Sequence, residues 1–96
     1  MNYRTVDLSA DLETAHQYIS ERVDGLSVTA SSTSMEYRTS SGFHLATLSE
    51  VTSPEGKQRT RLKYRTAIVS PSIAHARRKA TEIRSAVDHL TVREQQ

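Results

Sequence analysis

The residues best placed to do chemistry lie in the stretch GKQRTRLKYRT, Gly56 to Thr66, where Lys57, Arg59, Arg61, Lys63 and Arg65 occupy every second position. A period of two is the period of a β-strand, whose successive side chains point to opposite faces. One face of such a strand carries five cations over roughly 26 Å. A row of this kind attracts phosphate or carboxylate groups. Neighbouring charges at that spacing repel by only about 0.6 kcal/mol in water, so the row does not by itself require an anionic partner. Two plainer readings compete with binding: a solvated strand face, and a guard against strand-to-strand association if the row lies on a sheet edge.

Other chemistry finds less support. His16, His44, His75 and His89 are scattered, and no two have the i, i+4 spacing of a helical zinc site. Asp11 with Glu13, and Glu50 with Glu55, have no setting that suits general acid–base work. There is no G-x-S-x-G elbow, and three glycines leave no phosphate-binding loop. The chain has no cysteine, which excludes disulfides, thiolate zinc sites and thiol catalysis. No catalytic residue, metal site or cofactor is therefore expected. A third class, a small-ligand or enzymatic α+β sandwich with a cavity between helices and sheet, has no motif behind it.

Charge is distributed unevenly. Residues 1–56 carry three arginines against eight acids, residues 57–96 carry ten basic residues against three acids, and no acid lies between Glu55 and Glu82. Such asymmetry fits an anionic partner or self-pairing of opposite faces. Arginine outnumbers lysine ten to three, which suits bidentate contacts to phosphate or carboxylate. The 96 residues are 35% hydrophobic, with one Phe and no Trp, consistent with one domain, residues 1–96, around a small core. The N-terminal stretch lacks the pattern of a signal peptide and no long apolar run occurs, so a soluble, cytoplasmic protein with no membrane partner is expected.

The elements that must position the row follow from periodicity. NYRTVDL fits a first strand. A helix over residues 9–24 is expected from Leu12, Ala15, Ile19 and Val23, with Ser9 or Asp11 as cap and Gly25 at its end. A second, over 71–91, follows from Ile73, Ala76, Ala80, Ile83, Val87 and Leu90, with Ser70 as cap and Pro71 at the first turn. Between them SSG, Ser40 to Gly42, predicts a three-residue hairpin loop that sets Thr39 opposite Phe43 and Tyr37 opposite Leu45. SPEG, Ser53 to Gly56, predicts a four-residue loop, Thr52 opposite Lys57, Leu45 opposite Tyr64 and Glu50 opposite Arg59. Shifting that register by one brings Leu45 beside Arg65, which argues against the shift. Leu26, Val28 and Ala30 are apolar at even positions and Met35 and Tyr37 at odd ones, so a bulge or break is expected within Ser31 to Ser34.

The resulting expectation is an α+β two-layer sandwich of order β-α-β-β-β-α, with an antiparallel sheet and both helices packed on one face. From residue 9 onward that order resembles the double-stranded-RNA-binding domain in topology. The spacing around Gly42, His44, Arg77 and Arg78 departs from it, and membership is not inferred. The open face would carry the row, with His44 opposite Arg65 and Arg38 and with Arg78 of the last helix extending the field. Tyr37, Phe43 and Tyr64 are expected to point inward, leaving no aromatic platform for bases. The sequence thus favours a small non-catalytic protein that contacts nucleic acid or another polyanion through Lys57, Arg59, Arg61, Lys63, Arg65, Arg38 and Arg78. The alternative is a module that contacts an acidic protein surface or forms a homodimer through the sheet or its edge.

Overall fold

A computed structural model of the chain describes residues 3–66 and 74–92. The elements are β1 (Tyr3–Leu8), α1 (Leu12–Arg22), β2 (Ser27–Ala30), β3 (Ser34–Arg38), β4 (His44–Thr52), β5 (Gln58–Arg65) and α2 (Ala74–Ala86), followed by one 3-10 turn, Asp88–Leu90. The five strands form one antiparallel sheet in the order β1-β5-β4-β3-β2. The protein is a small α+β fold whose helices contact the sheet, α1 through β4 and α2 through β4 and β5.

The order has one strand more than the sequence predicts. The phase change within Ser31 to Ser34 is a hairpin turn, with β2 folding back on β3 so that Val28 pairs with Tyr37 and Ala30 with Met35. The Ser31 N–H donates to the Ser34 carbonyl at 2.8 Å and closes the turn. This additional strand also removes the resemblance in element order to the RNA-binding domain.

Helix α1 starts at Asp11, whose carboxylate accepts from the Thr14 N–H at 2.8 Å, satisfying a donor left free in the first turn. It ends at Arg22, with Gly25 three residues further on at φ +74°. Helix α2 buries Ala76, Ala80, Ile83 and Ala86. The proposed cap and first turn, Ser70 and Pro71, and the apolar position Ile73 lie outside the described residues. The buried residues of both helices share a core with Leu8, Tyr37, Leu45, Leu48 and Leu62. Within it the Thr60 hydroxyl donates to the Ala10 carbonyl at 2.7 Å, fastening β5 to the loop that enters α1.

The hairpin after β3 has the predicted loop. Thr39 N–H bonds the Phe43 carbonyl at 2.9 Å, and Gly42 takes the left-handed conformation, φ +93°, that a side chain would disfavour. One residue further on, the register shifts. Arg38 pairs with His44 but Tyr37 pairs with Ala46, leaving Leu45 as the extra residue of a bulge. The β4–β5 pairing is shifted as well: Thr52 pairs with Gln58, Leu48 with Leu62 and Ala46 with Tyr64. The loop is closed by the Ser53 N–H to the Lys57 carbonyl at 2.7 Å, with Gly56 at φ +84°. Under strict alternation this register is disfavoured, because it places Leu45 beside Arg65. The bulge removes that objection, since Leu45, Ala46 and Leu48 are all fully buried.

Candidate functional site

The register correction leaves the faces of β5 as predicted. Thr60 and Leu62 are buried and Tyr64 is half-buried, whereas Arg61 and Lys63 are exposed and Arg59 and Arg65 are partly exposed. Lys57 precedes β5, in the turn, and is exposed. The strand itself lies inside the sheet, between β1 and β4. The row is therefore not an edge guard.

Its neighbours differ from those expected. Across β1 the row meets Tyr3 opposite Arg65, Thr5 opposite Lys63 and Asp7 opposite Arg61. Across β4 it meets Val51 opposite Arg59, Ser49 opposite Arg61 and Thr47 opposite Lys63. Glu50 pairs with Thr60, not with Arg59. The acid that neutralises part of the row is Asp7, whose carboxylate accepts from Arg61 Nε at 2.8 Å. That hydrogen bond is the main reason the Asp7 carboxyl is held below its ordinary pKa. Asp7 is fixed there by the alternation of β1, because Val6 and Leu8 turn to the core.

At the other end of the row the cations are organised by Tyr3. The Arg65 guanidinium lies 4.7 Å from the Tyr3 ring centre and 4.5 Å from that of Phe43, and the Lys63 ammonium lies 5.0 Å from Tyr3. Arg65 Nε donates to the His44 carbonyl at 3.0 Å, and its terminal nitrogen donates to the Tyr3 hydroxyl. That hydroxyl is 3.1 Å from His44 Nδ1, and His44 Nε2 is 2.8 Å from the Thr47 hydroxyl. A guanidinium only donates, so the Tyr3 oxygen accepts from Arg65. Both ring nitrogens of His44 thus have a hydroxyl partner, Tyr3 at Nδ1 and Thr47 at Nε2. Burial, and next the Arg38 charge, holds the His44 pKa below its ordinary value; Arg65 and Lys63 act in the same sense and Glu36 opposes them.

Tyr3 was not singled out in the sequence, although the signal was there. In YRTVDL the apolar Val6 and Leu8 mark the inward face, which puts Tyr3, Thr5 and Asp7 on the other. The expectation of a face without aromatics is corrected to this extent. Because Lys63 and Arg65 already flank its ring, Tyr3 positions cations and is not a free surface for stacking bases.

The remaining residues divide. Arg38 joins the cluster around His44, paired with Glu36 at 3.1 Å. Arg78 does not: Ala76, Ala80 and Ile83 of its helix share the core with Leu62, and Arg78 lines a groove with Arg22, Arg77 and Glu82. Comparison with protein-family models, with curated proteins and with solved structures finds no match to this chain.

Proposed function

We propose that the protein is a non-catalytic binding protein whose open sheet face, with both helices on the opposite side, contacts the phosphates of a nucleic acid or a similar polyanion. The supporting observation is the surroundings of β5. An inner strand presents Arg59, Arg61, Lys63 and Arg65 between the hydroxyl groups of Thr5, Thr47 and Ser49, and one carboxylate, Asp7, is bonded into the row. Hydroxyls and guanidinium groups contact phosphate oxygens without reading bases. The cations held on Tyr3 favour the same mode, because their side chains lose less freedom when a phosphate arrives.

The test is binding to two unrelated duplexes, to single strands and to RNA from low to moderate salt. With Arg61 held by Asp7, four cations of the row, Lys57, Arg59, Lys63 and Arg65, are available to phosphates, giving a slope of log affinity against log salt of roughly −3.6 for a duplex. Replacing Arg59 and Lys63 by Gln flattens it by about 1.8, equally for both sequences. Asp7→Asn releases Arg61 and steepens it by up to about 0.9. No binding by wild type at low salt, or a slope indifferent to all three substitutions, would sink the proposal.

A further inference from the structure

The two edges of the sheet are treated differently. On the outer side of β1 the chain returns: the Ser9 N–H donates to the Leu90 carbonyl at 2.7 Å, the Val92 N–H donates to the Asp7 carbonyl at 2.8 Å, and Leu8 bridges to Thr91. On the outer side of β2, no described residue pairs with the strand. All four β2 residues, SVTA, are exposed, and among the described residues Val28 is the large hydrophobic side chain left most open, at 41%. Sheet edges are ordinarily blunted by charge, proline or a bulge. Here no charged residue and no proline occurs from Gly25 to Met35.

The direction of the free backbone groups is fixed by the hairpin. Ser31 donates its N–H to Ser34 of β3. Alternate residues of a strand direct their N–H and C=O groups to the same side, so Ser27 and Thr29 also face β3. Leu26, Val28 and Ala30 then point theirs outward, away from the sheet.

We propose that β2 pairs antiparallel with β2 of a second copy of this chain, about a two-fold axis through Val28. Three features select a second copy over another partner. First, pairing Val28 with its own symmetry mate makes the outward groups self-complementary: Val28 bonds Val28, and Leu26 bonds Ala30 in both directions, for about six backbone hydrogen bonds. Second, side-chain faces agree. Val28 and Ala30 lie on the core side, because they pair with the buried Tyr37 and the half-buried Met35. Apolar side chains from both copies therefore meet there, while Ser27 meets Thr29 on the open face. Third, no charge stands opposite a like charge at the junction. A four-residue strand gives a small contact, which corresponds to a weak, concentration-dependent dimer rather than an obligate one. The polyanion reading is independent of this pairing, because β3 and β4 lie between β2 and the row.

The test is the mass of the protein by light scattering and sedimentation across a concentration series, for wild type, Val28→Lys and Val28→Pro. Val28 directs its N–H away from β3, so proline there leaves the β2–β3 bonds intact while removing an intermolecular donor. Wild type is expected to shift from monomer to dimer as concentration rises, and both variants to remain monomeric at least ten-fold beyond that point, with unchanged far-UV circular dichroism. Val28→Cys, the sole cysteine, is expected to form a disulfide-linked dimer under mild oxidation, since paired strand positions lie within disulfide reach. A wild type that stays monomeric at millimolar concentration overturns the proposal. So does a dimer that persists in both variants, because its interface then lies elsewhere.

Discussion

Single side chains on this sheet control how much of the row's charge is usable, and His44 is the one that responds to pH. Its ring faces Arg38, Arg65 and Lys63, with Glu36 as the opposing charge, and burial adds to their effect. A folded-state pKa below the ordinary value means that the unfolded chain takes up the proton first. The stability associated with neutral His44 is therefore complete above about 6.5 and declines as pH falls towards the folded pKa. Replacing His44 by Gln should remove that decline, measured by chemical denaturation at steps across this window. A bound phosphate favours the charged ring, so saturating polyanion is expected to raise the His44 midpoint in an NMR titration. A midpoint that stays at the free-histidine value in the free protein would show that the cation cluster does not form around the ring.

At the scale of the elements, the joint between α1 and β3 rests on one buried polar contact. Tyr37 is fully buried, and its hydroxyl lies 2.7 Å from His16 Nδ1 on α1. Burial raises the Tyr37 pKa far above its ordinary value, so the hydroxyl stays protonated. Tyr37→Phe should cost about 0.5–1.5 kcal/mol, since the half-buried His16 can turn to water, whereas Tyr37→Ala, which also opens a cavity, should cost about 3–5 kcal/mol. Urea denaturation of the two variants checks the ordering. Tyr37 was readable as inward from its alternation with Met35, as were both helix stripes, the Ser40 to Gly42 loop and the cationic face of β5. The β4–β5 register was not readable, because strict alternation treats Phe43, Leu45 and Thr47 as one face. In the fold, the bulge at Leu45 changes phase in mid-strand and brings Ala46 and Leu48 inward instead. The partner strand of the row was missed for a related reason. Local hairpin arithmetic relates neighbours in sequence and says nothing about β1, which comes from the far end of the chain.

The whole molecule joins a local meander to one distant strand. Strands β2 to β5 are neighbours in both sequence and space, while β1 enters beside β5, and Asp7 meets Arg61 across 54 positions. Closing a loop of that length costs entropy before any contact rewards it, whereas the hairpins close over three to five residues. The expected order of assembly is that the meander forms first and β1 docks afterwards. Until it docks, the β5 cations have no carboxylate beside them. On that order the transition state carries the row unneutralised, so Asp7→Asn is expected to speed unfolding while leaving the folding rate nearly unchanged. Stopped-flow chevrons of wild type and variant measure both limbs, and a variant that mainly slows folding would place β1 in the nucleus instead. For the cell, the consequence is one of timing. During synthesis the row is expected to stand without its carboxylate from the moment β5 pairs with β4 until the first strand, made earliest, docks beside it.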